Sequence, residues 1–158
     1  MDRRDDLVLR LKESIMNLRA GVQPFDIDAY LAAPLLARVA TRGPAVRPVW
    51  FLWEEGAFWW ITGSYSRLPK LLAEDPRVAL VVDSCDLTTL EVLQVTARGN
   101  AEIMPFDAAR AKRKLVRYLG TNEERWPQDF REFDSDTRFV RLIPTSLTAK
   151  DLSKTWRQ

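Results

Sequence analysis

The densest group of residues able to do chemistry is Thr62-Gly63-Ser64-Tyr65-Ser66-Arg67, which gathers hydroxyls, a glycine and a cation where an apolar run gives way to a helical pattern. Unpaired backbone N–H groups at a helix start favour an anion, so this run is a candidate phosphate cradle. Arg67 and Lys70 stand three apart and share a helix face, within reach of one phosphate. The same spacing describes an ordinary capped helix with solvated cations, and both readings stay open. Arg110, Arg113, Lys114 and Arg117 form a basic stripe at helical spacing. It lacks interleaved aromatics and has acidic flanks, so it reads as a solvated helix face rather than a nucleic-acid surface. Cys85 is a poor nucleophile, because Asp83 and Asp86 beside it disfavour a thiolate.

What is missing narrows the chemistry further. The 158 residues include no histidine and one cysteine, which removes a Ser-His-Asp triad, a Cys-His pair and the common zinc sets. The 6 glycines are too dispersed for a dinucleotide or Walker loop. If the chain is an enzyme, its chemistry belongs to a cofactor. A net charge of +2 is too slight to imply nucleic acid. With 46% hydrophobic and 29% charged residues the chain reads as a soluble globular protein. The lone cysteine suits a reducing cytoplasm, and no run approaches the ~20 apolar residues that span a bilayer.

The elements that must position these residues follow from periodicity. Leu7, Leu11, Ile15 and Leu18 mark an amphipathic helix ended by Gly21, which gives an N-terminal helical extension over 1–28 ahead of one domain over 29–158. Asp26 or Asp28 caps a short helix through Leu31, and Leu35 to Thr41 reads as a strand before the Arg42-Gly43-Pro44 turn. Ala45 to Trp53 and Ala57 to Thr62 flank Glu54-Glu55-Gly56 and are expected to pair as a hairpin. Ser64 can cap a helix from Ser66 to Glu74, with Pro69 in its first turn. Arg77 to Asp83 and Leu90 to Met104 read as strands around a polar loop, with Gly99 a possible bend. Asp107 caps a helix from Ala108 to Leu119 that Gly120 closes. A charged loop with one turn at Thr121-x-x-Glu124 then leads to strands Arg138 to Pro144 and Leu147 to Leu152. About six strands without regular βαβ alternation predict a mainly β fold, an antiparallel barrel with peripheral helices.

Trp50, Trp53, Trp59 and Trp60 put large apolar groups on both faces of the expected hairpin. One face must meet the core. The other is expected to meet a partner subunit, a helix or a flat ligand, because contiguous exposed aromatic surface is unusual on a monomer.

Arg47-Pro48-Val49-Trp50-Phe51-Leu52-Trp53, Thr62-x-x-x-Ser66-Arg67, Asp75-Pro76-Arg77-Val78 and Gly99-x-Ala101-Glu102 together resemble the pyridoxamine 5′-phosphate oxidase-like flavin-binding split β-barrels, over about Leu31 to Leu152. The resemblance implies an antiparallel split β-barrel and a homodimer with two flavin-type cofactors at the subunit interface. By position it implies that Arg47 approaches the cofactor, that the backbone of Val49 and Trp50 borders the ring, and that Thr62, Ser66 and Arg67 hold the phosphate. Gln94 matches the glutamine that reaches the ring from the adjoining subunit, and an amide both donates and accepts.

The departures bear on the substrate. Leu68 and Leu52 stand where the family often has lysines, and Lys70 is the expected compensation. The C-terminal Ala149 to Trp156 lacks the Arg-x-His pattern of true pyridoxamine phosphate oxidases, so that activity is not expected. The resemblance implies an oxidoreductase passing a hydride between FMN, or the deazaflavin coenzyme F-420, and a small organic substrate. Tyr65 is the nearest side chain for a proton transfer. The alternative is a barrel that binds a flavin, haem or metabolite without turnover.

Overall fold

The computed structural model describes residues 21–153; the helix expected over Leu7 to Leu18 lies outside them. The first described element, α1 (Ile27–Ala32), is capped by Asp26, whose carboxylate accepts from the Ala29 N–H at 3.0 Å. The strands are β1 (Leu36–Thr41), β2 (Ala45–Trp50), β3 (Leu52–Glu54), β4 (Ala57–Thr62), β5 (Arg77–Asp86), β6 (Glu91–Met104), β7 (Arg138–Leu142) and β8 (Ser146–Asp151). Helix α2 (Leu68–Glu74) follows β4, and α3 (Ala108–Leu119) follows β6. All pairings are antiparallel, in the order β2-β1-β5-β6-β7-β4-β3, with β8 on β6.

That order makes the sheet curl. β2 and β3 are its opposite ends, yet Phe51 alone separates them in sequence, so the two edges must come together. The result is an antiparallel barrel with a split at Phe51. The expected hairpin of Ala45–Trp53 on Ala57–Thr62 is therefore corrected: β2 pairs with β1, and only Leu52–Glu54 pairs with β4. At the crossing the backbone leaves one ladder before joining the next, and the Tyr118 hydroxyl takes the ladder's place. It accepts from the Phe51 N–H at 3.0 Å and faces the carbonyls of Leu35 at 2.8 Å and Phe51 at 3.1 Å.

Local chemistry explains the other joints. Glu55 and Gly56 both have positive φ, 55° and 71°, the signature of the two-residue turn that matches strand twist. The Asp107 side chain accepts from Arg110 N–H to start α3, and Gly120, at φ 80°, closes it. At α2, Ser66 rather than Ser64 serves the first turn, accepting from Leu68 N–H at 3.1 Å. The polar stretch read as a loop after Asp83 instead extends β5 to Asp86, and the later loop holds two 3₁₀ turns, the first capped by Asn122 rather than Thr121.

β6 serves both halves of the barrel, pairing with β5 through Asn100, with β8 through Arg98 and with β7 from Ala101. Gly99 sits at that switch, where an added Cβ would lie 2.8 Å from the Ile143 carbonyl oxygen and 3.0 Å from Leu142 Cδ1. Gly99→Ala is expected to cost about 1–2 kcal/mol, since a backbone neighbour must move. Urea unfolding would measure it, and an unchanged midpoint would show that the approach is not tight.

The core is filled by Trp60, Phe58, Phe51 and Leu31 against Val39, Leu80 and Val82. A second cluster on the other face of β4 joins Trp59 and Ala57 to Ala111 of α3 and to Phe139. Helix α3 thus covers Trp59 on the second face of the aromatic strand. Trp53, Trp59 and Trp60 are all buried within one chain.

Candidate functional site

The split in the barrel holds a cleft of about 800 Å³, inside the roughly 300–1,000 Å³ usual for small-molecule sites. Arg47, Pro48, Val49 and Trp50 of β2 form one side, and Trp60, Ile61 and Thr62 of β4 the other, continued by Tyr65, Ser66 and Leu68. Lys114 of α3 and residues of the 128–137 segment complete it. The site thus lies where the two sheet edges meet, and the alternation that buries Val39 and Phe58 turns Arg47 and Thr62 toward the gap.

Of the sequence-expected site residues, the cleft brings together Arg47, Val49, Trp50, Thr62 and Ser66. Arg67 is the N-cap residue of α2 and, with Lys70, is exposed outside the cleft lining. Gln94 lies on β6 opposite Asp83 and Lys150, away from that lining. Leu52 and Leu68 are buried, at 1% and 2% exposure.

Three residues of this lining carry a buried polar atom without a partner: Arg47 Nη1, Trp60 Nε1 and Thr62 Oγ1. Buried polar groups are nearly always paired. Two of these are obligate donors and the third can donate, so the arrangement suits a ligand rich in acceptor atoms. Trp50 belongs to an aromatic stack at the cleft, on Tyr118 at 4.6 Å with 4° between planes and on Phe130 at 5.4 Å.

The segment after Gly120 closes the cleft and is anchored at two points. Trp126 is buried and its Nε1–H donates to the Gly120 carbonyl at 3.0 Å. Asp136 accepts from the Ser64 N–H at 2.7 Å, and the hydrogen bonds from Ser64 hold its carboxyl below the usual range. The segment also brings Asp129, Glu132 and Asp134 to the cleft, which Arg47 and Lys114 line as well.

The basic stripe is not a solvated face. Arg110 lies over the Trp59 ring at 3.6 Å, and Arg110 and Arg113 both bind Glu54, at 2.6 and 2.9 Å. Burial alone would raise the Glu54 carboxyl, but the hydrogen bonds from Arg113 and Arg110 outweigh it and lower its pKa. Lys114 is 4% exposed, and burial pushes its ammonium down to about 8. The sequence reading missed Lys114, Tyr118 and Phe130 as parts of the site. Lys114 and Tyr118 were findable, since i, i+4 spacing puts both on one helix face. Phe130 sits in a segment without a periodic signal. Among the described residues no group of His, Cys, Asp and Glu suits a metal ion, and no helix is long and apolar enough to cross a membrane.

Comparison with known proteins agrees with this architecture. A family model described as pyridoxamine 5′-phosphate oxidase matches residues 26–147. A conserved hypothetical protein of Mycobacterium tuberculosis superposes with a TM-score of 0.66 at 20% identity, over 83% of this chain and 86% of that one. An F-420 reductase superposes with a TM-score of 0.58 at 25% identity, over 79% and 98%. A FAD-binding protein of Mesorhizobium loti gives 0.58 at 15% identity, over 82% and 95%. No curated protein matches the sequence. With the family match spanning most of the chain and a split barrel built from the same segments, the chain belongs to the pyridoxamine 5′-phosphate oxidase family.

Proposed function

We propose that the cleft binds a flavin-type cofactor, FMN or the deazaflavin coenzyme F-420, and that the protein is an oxidoreductase acting on a small organic substrate. The observation that carries this reading is the convergence of three cleft residues with unpartnered buried polar atoms, Arg47, Trp60 and Thr62, beside the aromatic stack of Trp50. A flavin or deazaflavin offers a planar ring rimmed by acceptors and a phosphate-bearing tail, which fits that set. Once bound, such a cofactor supplies the hydride chemistry itself, and the protein contributes binding, orientation and exclusion of water.

In this reading Trp50 and the Val49 backbone border the ring, and Arg47, Thr62 and Ser66 hold the acceptor atoms and phosphate. The Ser66 oxygen already accepts from Leu68 N–H, which leaves its hydroxyl hydrogen to donate. Arg67 and Lys70 lie at the outer end of the same strand-to-helix junction and extend the positive field toward the tail. Gln94 stands outside the protomer's cleft, so its proposed approach to the ring comes from a second copy of the chain in a homodimer. Tyr65 lines the cleft while remaining 75% exposed, and it is the candidate for passing a proton between substrate and solvent.

Thr62→Val tests the site with little change of shape. It is expected to weaken FMN or F-420 binding about tenfold, the loss of one good hydrogen bond from a desolvated partner. Titration followed by tryptophan fluorescence would measure it, and unchanged affinity would remove Thr62 from the site. Turnover is tested separately. A reduced, protein-bound chromophore that reoxidises faster on addition of an organic acceptor supports an oxidoreductase, and one inert to every acceptor supports the non-catalytic binder.

A further inference from the structure

Lys114 is a buried cation that the fold itself does not use. Its neighbours along α3, Arg110 and Arg113, are both engaged by Glu54 at 2.6 and 2.9 Å. Lys114 has the rings of Trp50 and Tyr118 at 5.8 and 6.0 Å from its Nζ, and burial lowers its ammonium's pKa. An ammonium withdrawn from water without a counter-ion is costly and therefore rare. Lys114 nevertheless lines the cleft, 4% exposed.

The rest of the cleft makes that position informative. The two sites where the family resemblance places lysines hold Leu52 and Leu68, both buried, and Lys70 is exposed outside the lining. Arg47 and Lys114 are thus the cations that line the cleft. Asp129, Glu132 and Asp134, from the 121–137 segment, line it as well, and they repel an anion from their own side. A negative group entering the cleft finds its cations on β2 and α3, with Lys114 near the Trp50 ring.

We propose that Lys114 is the counter-cation for an anionic group on the planar molecule bound in this cleft, meeting it next to the Trp50 ring. The inference rests on the flavin reading of the cleft. The charge can come from the ligand's phosphate or from its ionised ring, and the two sources separate experimentally.

Wild type, Lys114→Met and Lys114→Arg are titrated with FMN, riboflavin and coenzyme F-420, following tryptophan fluorescence. The methionine variant is expected to bind the tightest of the three at least about tenfold more weakly, the loss of a charge-assisted contact. The arginine variant is expected to recover most of that loss, which a merely structural role would not produce. With both flavins reduced, so that the ring can carry the charge, loss confined to FMN with riboflavin unaffected assigns the phosphate; equal loss for both assigns the ring. A melting temperature of ligand-free Lys114→Met at or above wild type shows the fold intact. Unchanged affinity in that folded variant overturns the role of Lys114 and leaves the flavin reading standing. Wild-type protein that binds none of the three overturns the flavin reading itself.

Discussion

Tyr118→Phe is expected to destabilise the protein by about 3 kcal/mol, because its hydroxyl serves the backbone where the sheet changes sides. The ring is not at issue, since phenylalanine can keep the stacking on Trp50. What disappears is the acceptor for the Phe51 N–H, at 3.0 Å, and a single O–H donor, closest to the Leu35 carbonyl at 2.8 Å with the Phe51 carbonyl at 3.1 Å. Phe51 is 1% exposed, so water is a poor substitute. A buried backbone donor left unpaired costs about 1–3 kcal/mol, and the abandoned carbonyl adds to it. Urea unfolding measures the loss, and faster amide exchange at Phe51 locates it. A change under about 1 kcal/mol would mean that the crossing is held by something else. Because the crossing borders the cleft, ligand affinity should fall with stability.

Lys114→Met carries the opposite sign. Burial lowers the Lys114 pKa from 10.5 to about 8, a cost to the folded state of roughly 3 kcal/mol at about 1.36 kcal/mol per pKa unit. The ring contacts return about 1 kcal/mol of that, so the ligand-free variant should gain about 2 kcal/mol. The sign of the pH dependence follows from proton binding. Between about pH 8 and 10.5 the unfolded chain keeps the proton that the folded one has lost, so wild-type stability rises with pH through that window. The advantage of the variant is therefore complete below pH 8 and declines toward 10.5. Unfolding at pH 7 and pH 10 tests this, and an unstabilised variant at pH 7 would show that Lys114 has a counter-ion in the free protein. Raised stability together with weakened ligand binding is the pattern of a residue retained for its site.

Much of the frame could be read from local chemistry. Asp107 and Gly120 delimit α3 as expected, the Glu55-Gly56 turn sits between its strands, and the fold class follows from short strands without βαβ alternation. The break at Phe51 could not, because the apolar run from Val49 to Trp53 carries no glycine or proline. The signal that divides it is a tyrosine 67 residues later. Thr62 and Ser66, which line the cleft, were conspicuous in the sequence as hydroxyls clustered at a strand end. The basic stripe misled for the converse reason. Charges at helical spacing look solvated until Glu54, distant in sequence, is found to bind two of them and the barrel to bury a third. Ser84 to Asp86 looked like loop because these residues are polar, but pairing with β6 out to Glu91 holds them as strand.

The central claim is that the split between β2 and β4 is a cofactor slot. Native mass spectrometry of purified protein, incubated with FMN or coenzyme F-420 and then denatured to release what it holds, tests it directly. The account predicts a dimer carrying two identical ligands, each identified on release as one of these cofactors. Protein that retains neither compound, whatever its oligomeric state, would contradict it.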